Sequence, residues 1–240
     1  MKKFFYFLAL AAVFTSCLGK ENEENPDLKY YRATVTFRPM ENGSFYLKQD
    51  EQTALVVLNS DMKDYPFKDG KERRAYVEYA VDEDSQTGSR IDGFETTKEV
   101  SLIYADTIYT KDPVFAADDD IKKYGNDPVG LYTTNEIWPT TGIEDGYLSI
   151  SFAMPVGFGG VTHTVNLLLG IDPDDPYKVR FMHDAHNDSR VDTQDCLVNF
   201  PLKDLPDTNG ETVDLTLIWD SLVSGKEESV KIKYCSRKDW

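Results

Sequence analysis

The sequence has 240 residues, with 26 basic and 42 acidic side chains and a formal net charge of −16 at pH 7. This excess of acid argues against nucleic acid and anionic lipid headgroups as partners, because both require basic patches that replace counterions. The length suits two small domains or one large all-β domain.

The first 16 residues have the pattern of an export signal. Two lysines precede the apolar stretch Phe4–Thr15, which is shorter than the roughly 20 residues that span a bilayer. The segment Phe14-Thr15-Ser16-Cys17 resembles a relaxed lipobox of the Bacteroidetes type, with Phe in place of the usual Leu. We therefore expect a signal peptide over residues 1–16 and lipidation of Cys17. The alternative is an ordinary signal peptide that happens to contain a cysteine.

Lipidation would make Cys17 the attachment point to the membrane. A single acyl chain holds a protein only marginally, whereas two or more hold it durably. Residues 17–29 are charged and lack apolar periodicity, so they are predicted to form a flexible acidic tether. The basic-then-acidic run Lys20–Asp27 resembles the surface-export signal of Bacteroidetes lipoproteins. We expect an outer-membrane protein that faces the cell exterior, with periplasmic retention as the alternative.

Residues 30–111 are predicted to form a small β-barrel domain. Short segments rich in β-branched and aromatic residues alternate with polar positions and are separated by Gly, Pro, Asn and Asp, which indicates an all-β class. Five strands within about 80 residues are typical of a five-stranded OB-like barrel. The predicted strands are Tyr30–Arg38, Phe45–Leu47, Ala54–Leu58, Ala75–Val81 and Val100–Tyr109.

Residues 112–240 are predicted to form a second domain, an antiparallel β-sandwich. Acids, glycines and prolines in Phe115–Tyr132 suit a connection between two units. In most of the strands that follow, one parity is apolar and the other polar, as sheets packed face to face require. These strands are Tyr147–Ala153, Val161–Leu169, Lys178–His183, Asp195–Phe200, Val213–Trp219 and Val230–Cys235.

Several segments together resemble the NigD-like lipoprotein family of Bacteroidales. KERRAYVEYAV and SLIYADTIYTKDP are similar to the end of its N-terminal OB-like domain, and GYLSISFAMPVGFGGVTHTVNLLLG, FMHDAHND and CLVNFPLKDL are similar to its C-terminal β-sandwich. The resemblance covers Tyr30–Cys235 but not the acidic stretches Asp118–Asp120 and Asp172–Pro176. It implies a non-enzymatic protein anchored to the cell envelope. The family is associated with bacteriocin genes, and an immunity role has been suggested for it.

Cys196 and Cys235 are a candidate disulfide. An oxidising envelope would permit the bond. Strand parity, however, places Cys196 on the face of Phe200 and Cys235 on the face of Lys233. Two free thiols are therefore the alternative.

No metal or cofactor is expected. His183–Asp188 offers two histidines with carboxylates, which could hold zinc, but the same residues are typical of a tight turn, and the turn is the favoured interpretation. Asp172–Pro176 and Asp118–Asp120 lack the glycine and distal glutamate of an EF-type calcium loop. We interpret both acidic stretches as solvated loops.

No catalytic site is predicted either. The sequence has no Gly-x-Ser-x-Gly motif, and His163 lies within a predicted strand without a marked nucleophile. Carboxylate pairs for glycoside hydrolysis depend on their separation in space, which the sequence leaves open. Trp219 is expected in the core, whereas Trp138 could stack on a sugar. We expect a non-enzymatic binding lipoprotein with a protein or glycan partner; the alternatives are a glycan-binding accessory protein and a bacteriocin immunity-associated protein.

Overall fold

The computed structural model describes residues 28–40, 44–58, 70–84, 86–116, 121–134 and 139–240. The predicted leader, Cys17 and most of its tether, together with Asp118–Asp120 and Trp138, lie outside the described residues. Within these ranges the chain forms 14 strands and one short 3-10 helix, Ile121–Tyr124, so the predicted all-β class is confirmed. In the same ranges no helix has the length and apolar character of a membrane span.

The first five strands close into a barrel with the order β1-β2-β3-β5-β4, which confirms the predicted OB-like unit. Strands β3 and β5 run parallel, and the other neighbours run antiparallel. The strands are β1 Leu28–Pro39, β2 Phe45–Lys48, β3 Thr53–Val57, β4 Arg73–Asp82 and β5 Thr96–Thr107.

Alternation explains how the barrel is filled. Along β4, Ala75, Val77, Tyr79 and Val81 point into the barrel and are buried. They pack against apolar side chains from every other strand, including Val35, Leu47, Leu55, Val100 and Leu102. Burial of this one parity fixes the register, because a slip of one residue would turn the apolar set outward.

The remaining nine strands form two facing sheets, and the predicted β-sandwich is confirmed. One sheet has the order β14-β13-β11-β10-β6, and the other has β12-β9-β7 with β8 added on β9. The first contains parallel pairs, β11 with β13 and β6 with β10, beside its antiparallel ones. The strands are β6 Val114–Phe115, β7 Gly130–Leu131, β8 Gly142–Glu144, β9 Tyr147–Val156, β10 Thr164–Leu169, β11 Lys178–Asp184, β12 Asp192–Pro201, β13 Val213–Asp220 and β14 Glu227–Tyr234.

A short linker joins the two domains and is tied to both. After β5 ends, the amide of Ile108 donates to the carbonyl of Arg74 in the barrel at 3.0 Å. The next residues pair with β12 of the sandwich: Asn199 N donates to Tyr109 O at 2.9 Å, and Lys111 N donates to Asn199 O at 3.0 Å. The linker is therefore hydrogen-bonded along its length.

Candidate functional site

Charged side chains from both domains meet where the barrel faces the sandwich. The barrel contributes three of them from β1, β2 and the residue before β4, and the sandwich contributes three from the β8–β9 turn and the residues after β14. We call this set the seam network: Arg38, Lys48, Glu72, Asp145, Arg237 and Asp239.

Asp145 is the buried acceptor of this network. Its carboxylate is fully shielded and lies 2.6 Å from Lys48 Nζ and 3.1 Å from Arg38 Nη2, both of the barrel. Arg237 Nε approaches to 3.7 Å from within the sandwich. Burial alone would raise the pKa of Asp145, but the hydrogen bond from Lys48 and the nearby arginines lower it. The carboxylate is thus held ionised.

Glu72 forms the reciprocal link from the barrel to the sandwich. Arg237 donates to it from both terminal nitrogens, at 2.6 and 2.7 Å, and the Tyr147 hydroxyl donates at 2.8 Å. Such a bidentate pair is among the stronger charge-assisted contacts in proteins. Asp239 completes the set by accepting from Arg38 Nη1 and Arg237 Nε, each at 2.9 Å.

Aromatic rings pack beside the network on the sandwich side. The Arg237 guanidinium lies over the Trp240 ring at 4.6 Å from its centroid, and Trp240 meets Tyr147 edge to face at 5.2 Å. Gly146 is required here: its φ is +75°, and a Cβ would lie 2.6 Å from Trp240 Cζ2 and 2.8 Å from Arg237 Cβ. The turn between β8 and β9 therefore brings the C-terminal residues against the barrel.

An open cleft of about 570 Å³ lies along this boundary. Barrel residues Asp50 and Glu51 form one wall, and sandwich residues Ile143–Gly146 and Cys235–Asp239 form much of the rest. The volume is within the usual range of ligand pockets. Because the seam network spans the two walls, the spacing of the cleft is fixed by buried ion pairs.

Arg74 is a second buried cation at the boundary. Only 1% of the residue is exposed, and it donates to Thr36 Oγ1 at 3.1 Å and to Glu144 Oε2 at 3.2 Å. The Arg74 side chain of this ion pair is fully buried, whereas half of the Glu144 side chain is exposed to solvent. Burial lowers the pKa of Arg74, and the charge of Glu144 offsets that effect only in part.

His183 and Asp188 of the candidate metal segment form a hydrogen-bonded chain through His163, which precedes β10. His163 Nδ1 lies 3.0 Å from His183 Nε2, and His163 Nε2 lies 3.1 Å from Asp188 Oδ2. Since a carboxylate can only accept, His163 donates from Nε2 to Asp188. The other ring nitrogen of His183, Nδ1, has no hydrogen-bond partner among the described residues.

The same segment turns as its Asn and Asp content predicts. His186 and Asn187 have φ values of +49° and +60°, and His186 N donates to Asp184 Oδ1 at 2.7 Å. Over the part of the chain that the structure describes, no group of three or more His, Cys, Asp or Glu could hold a metal ion. The acids of Asp172–Pro176 likewise cap their own loop, with Asp172 also paired to Lys178 at 2.9 Å.

Cys196 and Cys235 are both free thiols, so the structure contains the alternative to the candidate disulfide. Cys196 packs partly against the sandwich core from β12, whereas Cys235 is exposed and lines the cleft. The opposite strand parities noted in the sequence explain why one thiol faces the core and the other faces solvent. Trp219 lies in the sandwich core, where its parity placed it.

The family follows from a match over the second domain. The model of the NigD-like C-terminal beta sandwich domain matches residues 112–234, which is 123 of the 240 residues. The chain belongs to the NigD-like family. A comparison with curated proteins finds no match.

Solved structures from Parabacteroides and Bacteroides species are similar to this NigD-like chain over more than four fifths of its length. A Parabacteroides distasonis protein whose name includes the words "TOXIN related" is 27% identical, with a TM-score of 0.68 over 87% of this chain and 94% of its own. A "NigD-like immunity protein" from Bacteroides caccae is 19% identical, with a TM-score of 0.56 over 85% and 97%. A Bacteroides fragilis protein named as a lipoprotein is 12% identical, with a TM-score of 0.59 over 88% and 100%. At 19% and 12% identity, the last two similarities show a shared fold only.

Sequence reasoning missed the seam network of this NigD-like chain. Its members are separated by up to 201 positions, as Arg38 and Asp239 are. A charged residue with no apparent partner in the sequence is predicted to lie on the solvated surface. The one available signal was the pair Asp145-Gly146 before a strand, which is typical of a tight turn that could bring an acid to a domain boundary.

Proposed function

We propose that this NigD-like chain is a non-enzymatic lipoprotein of the outer membrane, anchored at Cys17 and facing the cell exterior, which holds a partner in the cleft between its two domains. The observation that carries the binding role is the 570 Å³ cleft whose two walls are joined by the seam network. A preorganised site of this kind binds without first ordering its walls.

The lining of the cleft favours a polar partner. Lys233 and Lys238 lie on the sandwich wall, and Asp50 and Glu51 lie on the barrel wall. Charges of both signs at fixed positions suit the backbone and polar side chains of a protein segment. Nucleic acid is an unfavourable partner for a chain of net charge −16.

Photocrosslinking in the native bacterium tests the binding role. A photoreactive residue replaces Lys238 in the cleft, and the matched control replaces Val223, which is 88% exposed in the β13–β14 connection. A discrete adduct at 238 and none at 223 supports the cleft. Equal labelling at both positions, or none at 238, contradicts it.

Fractionation and mass spectrometry test the anchor. Cys17→Ser should release the protein from the membrane fraction, and the wild-type N-terminal peptide should carry acyl chains on Cys17. Proteolysis of intact cells then reports which face of the membrane the chain occupies. Recovery of wild-type protein in soluble form with unmodified Cys17 would contradict anchoring.

Immunity to a bacteriocin is a second candidate, favoured by two similar structures, one of a "NigD-like immunity protein" and the other of a "TOXIN related" protein. Deletion of the gene should then sensitise the strain to the toxin of a neighbouring gene, and the wild-type chain should restore protection. A glycan partner remains a further alternative. A glycan array with wild type and Trp138→Ala tests that alternative, and an absence of signal from both proteins would remove it.

A further inference from the structure

A group of tyrosines lies on the outer face of the barrel, on strands β1, β4 and β5. Cross-strand pairing brings its centre together, because Arg32 pairs with Glu78, and Glu78 in turn pairs with Tyr104. Residues of the same parity along β1 and β4 extend the face on both sides of this row. We call it the tyrosine platform: Tyr30, Arg32, Tyr76, Glu78, Ile103 and Tyr104. None of these residues lines the cleft.

A β-bulge in β5 adds Tyr104 to the platform. Glu78 of β4 pairs with Tyr104. The next pair is Tyr79 with Leu102, so Ile103 is an extra residue on β5. Leu102 points into the barrel, and strict alternation would turn Tyr104 inward as well. Ile103 and Tyr104 are instead both on the outside, 52% and 47% exposed. Bulges are over-represented next to functional sites, where they re-aim a side chain.

The hydroxyl edges of two neighbouring rings on the platform are tied to acids. The ring centroids of Tyr76 and Tyr104 lie 5.9 Å apart. The Tyr76 hydroxyl donates to Glu78, and the Tyr104 hydroxyl donates to Asp106 at 3.3 Å. These bonds position both rings before a partner binds, which reduces the cost of ordering side chains on binding.

An ion pair at the centre of the platform favours a sugar over a protein as its partner. Arg32 Nε lies 3.1 Å from Glu78 Oε1, and the two side chains are 68% and 33% exposed. The core of a protein–protein interface is depleted of charged residues, because burial removes the water around such a pair. A sugar hydroxyl both donates and accepts, so it can replace that water at the carboxylate and at the guanidinium. Asp106 at the edge and the net charge of −16 disfavour an anionic glycan.

We propose that the tyrosine platform binds an uncharged oligosaccharide, with Tyr104 stacked on the C–H face of one sugar ring and the Arg32–Glu78 pair hydrogen-bonded to its hydroxyls. An aromatic ring offers the flat apolar surface that such a face requires. The site lies on the barrel and does not involve Trp138. It shares no residue with the cleft, so the proposal stands apart from the binding role proposed there.

Isothermal titration calorimetry of the full chain with defined hexasaccharides tests the ligand class. The uncharged probes are cellohexaose, xylohexaose, maltohexaose and mannohexaose, and the anionic probe is hexagalacturonate. We expect saturable binding of at least one uncharged probe and weaker binding of hexagalacturonate. No saturable binding of any uncharged probe, or tighter binding of hexagalacturonate than of all of them, would overturn the proposal.

Variants of Tyr104 test the stacking contact with the uncharged probe that binds most tightly. Tyr104→Ala removes the ring and should weaken binding by about tenfold, whereas Tyr104→Phe keeps the ring and should retain most of the affinity. Tyr109→Ala is the matched control, because Tyr109 is a 64% exposed tyrosine of the linker outside the platform, and it should leave affinity unchanged. Equal affinities of the two alanine variants would contradict the assignment.

The side-chain methyl resonance of Ile103 locates the sugar independently of affinity. Ile103→Val identifies the resonance, and the remaining isoleucine methyl signals show whether each variant is folded. We expect a saturable shift of this resonance in wild-type protein as the same probe is added, and a smaller shift with Arg32→Ala at equal probe concentration. Binding that leaves the Ile103 resonance in place would put the sugar elsewhere on the chain and overturn the proposal.

Discussion

Replacing Asp145 by Asn should destabilise the folded chain by removing the buried charge that two barrel cations share. Lys48 Nζ at 2.6 Å and Arg38 Nη2 at 3.1 Å would lose their common carboxylate. The new amide would also point N–H groups at donors. Removing one member of a buried ion pair costs about 3–5 kcal/mol.

The lower end of that range is expected because other acids remain. Arg38 still reaches Asp239 at 2.9 Å and lies 3.3 Å from Glu72, and Lys48 still reaches Glu51 at 3.0 Å. We therefore expect a loss of about 3 kcal/mol in the free energy of unfolding. For a chain of this length that corresponds to a melting temperature lower by about 6–12 °C.

Urea denaturation followed by tryptophan fluorescence measures this loss, since Trp219 lies in the sandwich core. Asp214→Asn is the matched control: the same chemical change removes an exposed carboxylate that pairs with Lys233 at 2.6 Å. The control should leave the midpoint nearly unchanged. If Asp145→Asn shifts the midpoint no more than the control does, the seam network contributes no more than surface ion pairs and the reasoning fails.

Three further predictions concern pH and backbone space. Burial alone would raise the pKa of Asp239, but hydrogen bonds from two arginines lower this pKa to about 2. The ionised Asp239 therefore stabilises the folded chain fully above its unfolded pKa of about 3.9, and this contribution is lost as pH falls towards 2. Asp239→Asn should remove that part of the acid-denaturation curve. Gly146→Ala should cost about 1–3 kcal/mol more than Gly88→Ala in chemical denaturation, because both glycines have positive φ but only the first would bring a Cβ within 2.8 Å of Arg237. Burial lowers the pKa of His183 in the folded chain, whereas the unfolded chain takes up this proton near pH 6.5. The free energy of unfolding should therefore decrease as pH drops from 7 to 5. His183→Gln should lack this part of the pH dependence.

Strand alternation was sufficient to predict the architecture. All eleven predicted strands overlap observed ones. Most of them carry a period-two pattern, and Ala54–Leu58 is a short continuous apolar run. The three strands that the sequence did not indicate, Val114–Phe115, Gly130–Leu131 and Gly142–Glu144, contain only two or three residues and have no period to detect. They pair because longer strands already present free edges beside them.

The boundary between the domains was much less predictable. Arg74 has the outward parity of β4, opposite to Ala75 and Val77, so the pattern indicates an exposed residue. It is buried because the sandwich covers that side of the barrel, a contact between segments distant in sequence. Parity defines a side of a strand, and only tertiary packing decides whether that side meets solvent.

The most direct test of the central claim, that the buried seam network makes barrel and sandwich one body around the cleft, is differential scanning calorimetry of the chain that follows Cys17. The account predicts one transition whose van't Hoff enthalpy equals the calorimetric enthalpy at neutral pH. Two resolved transitions, or a van't Hoff enthalpy near half of the calorimetric value, would show that the domains unfold separately and would contradict it.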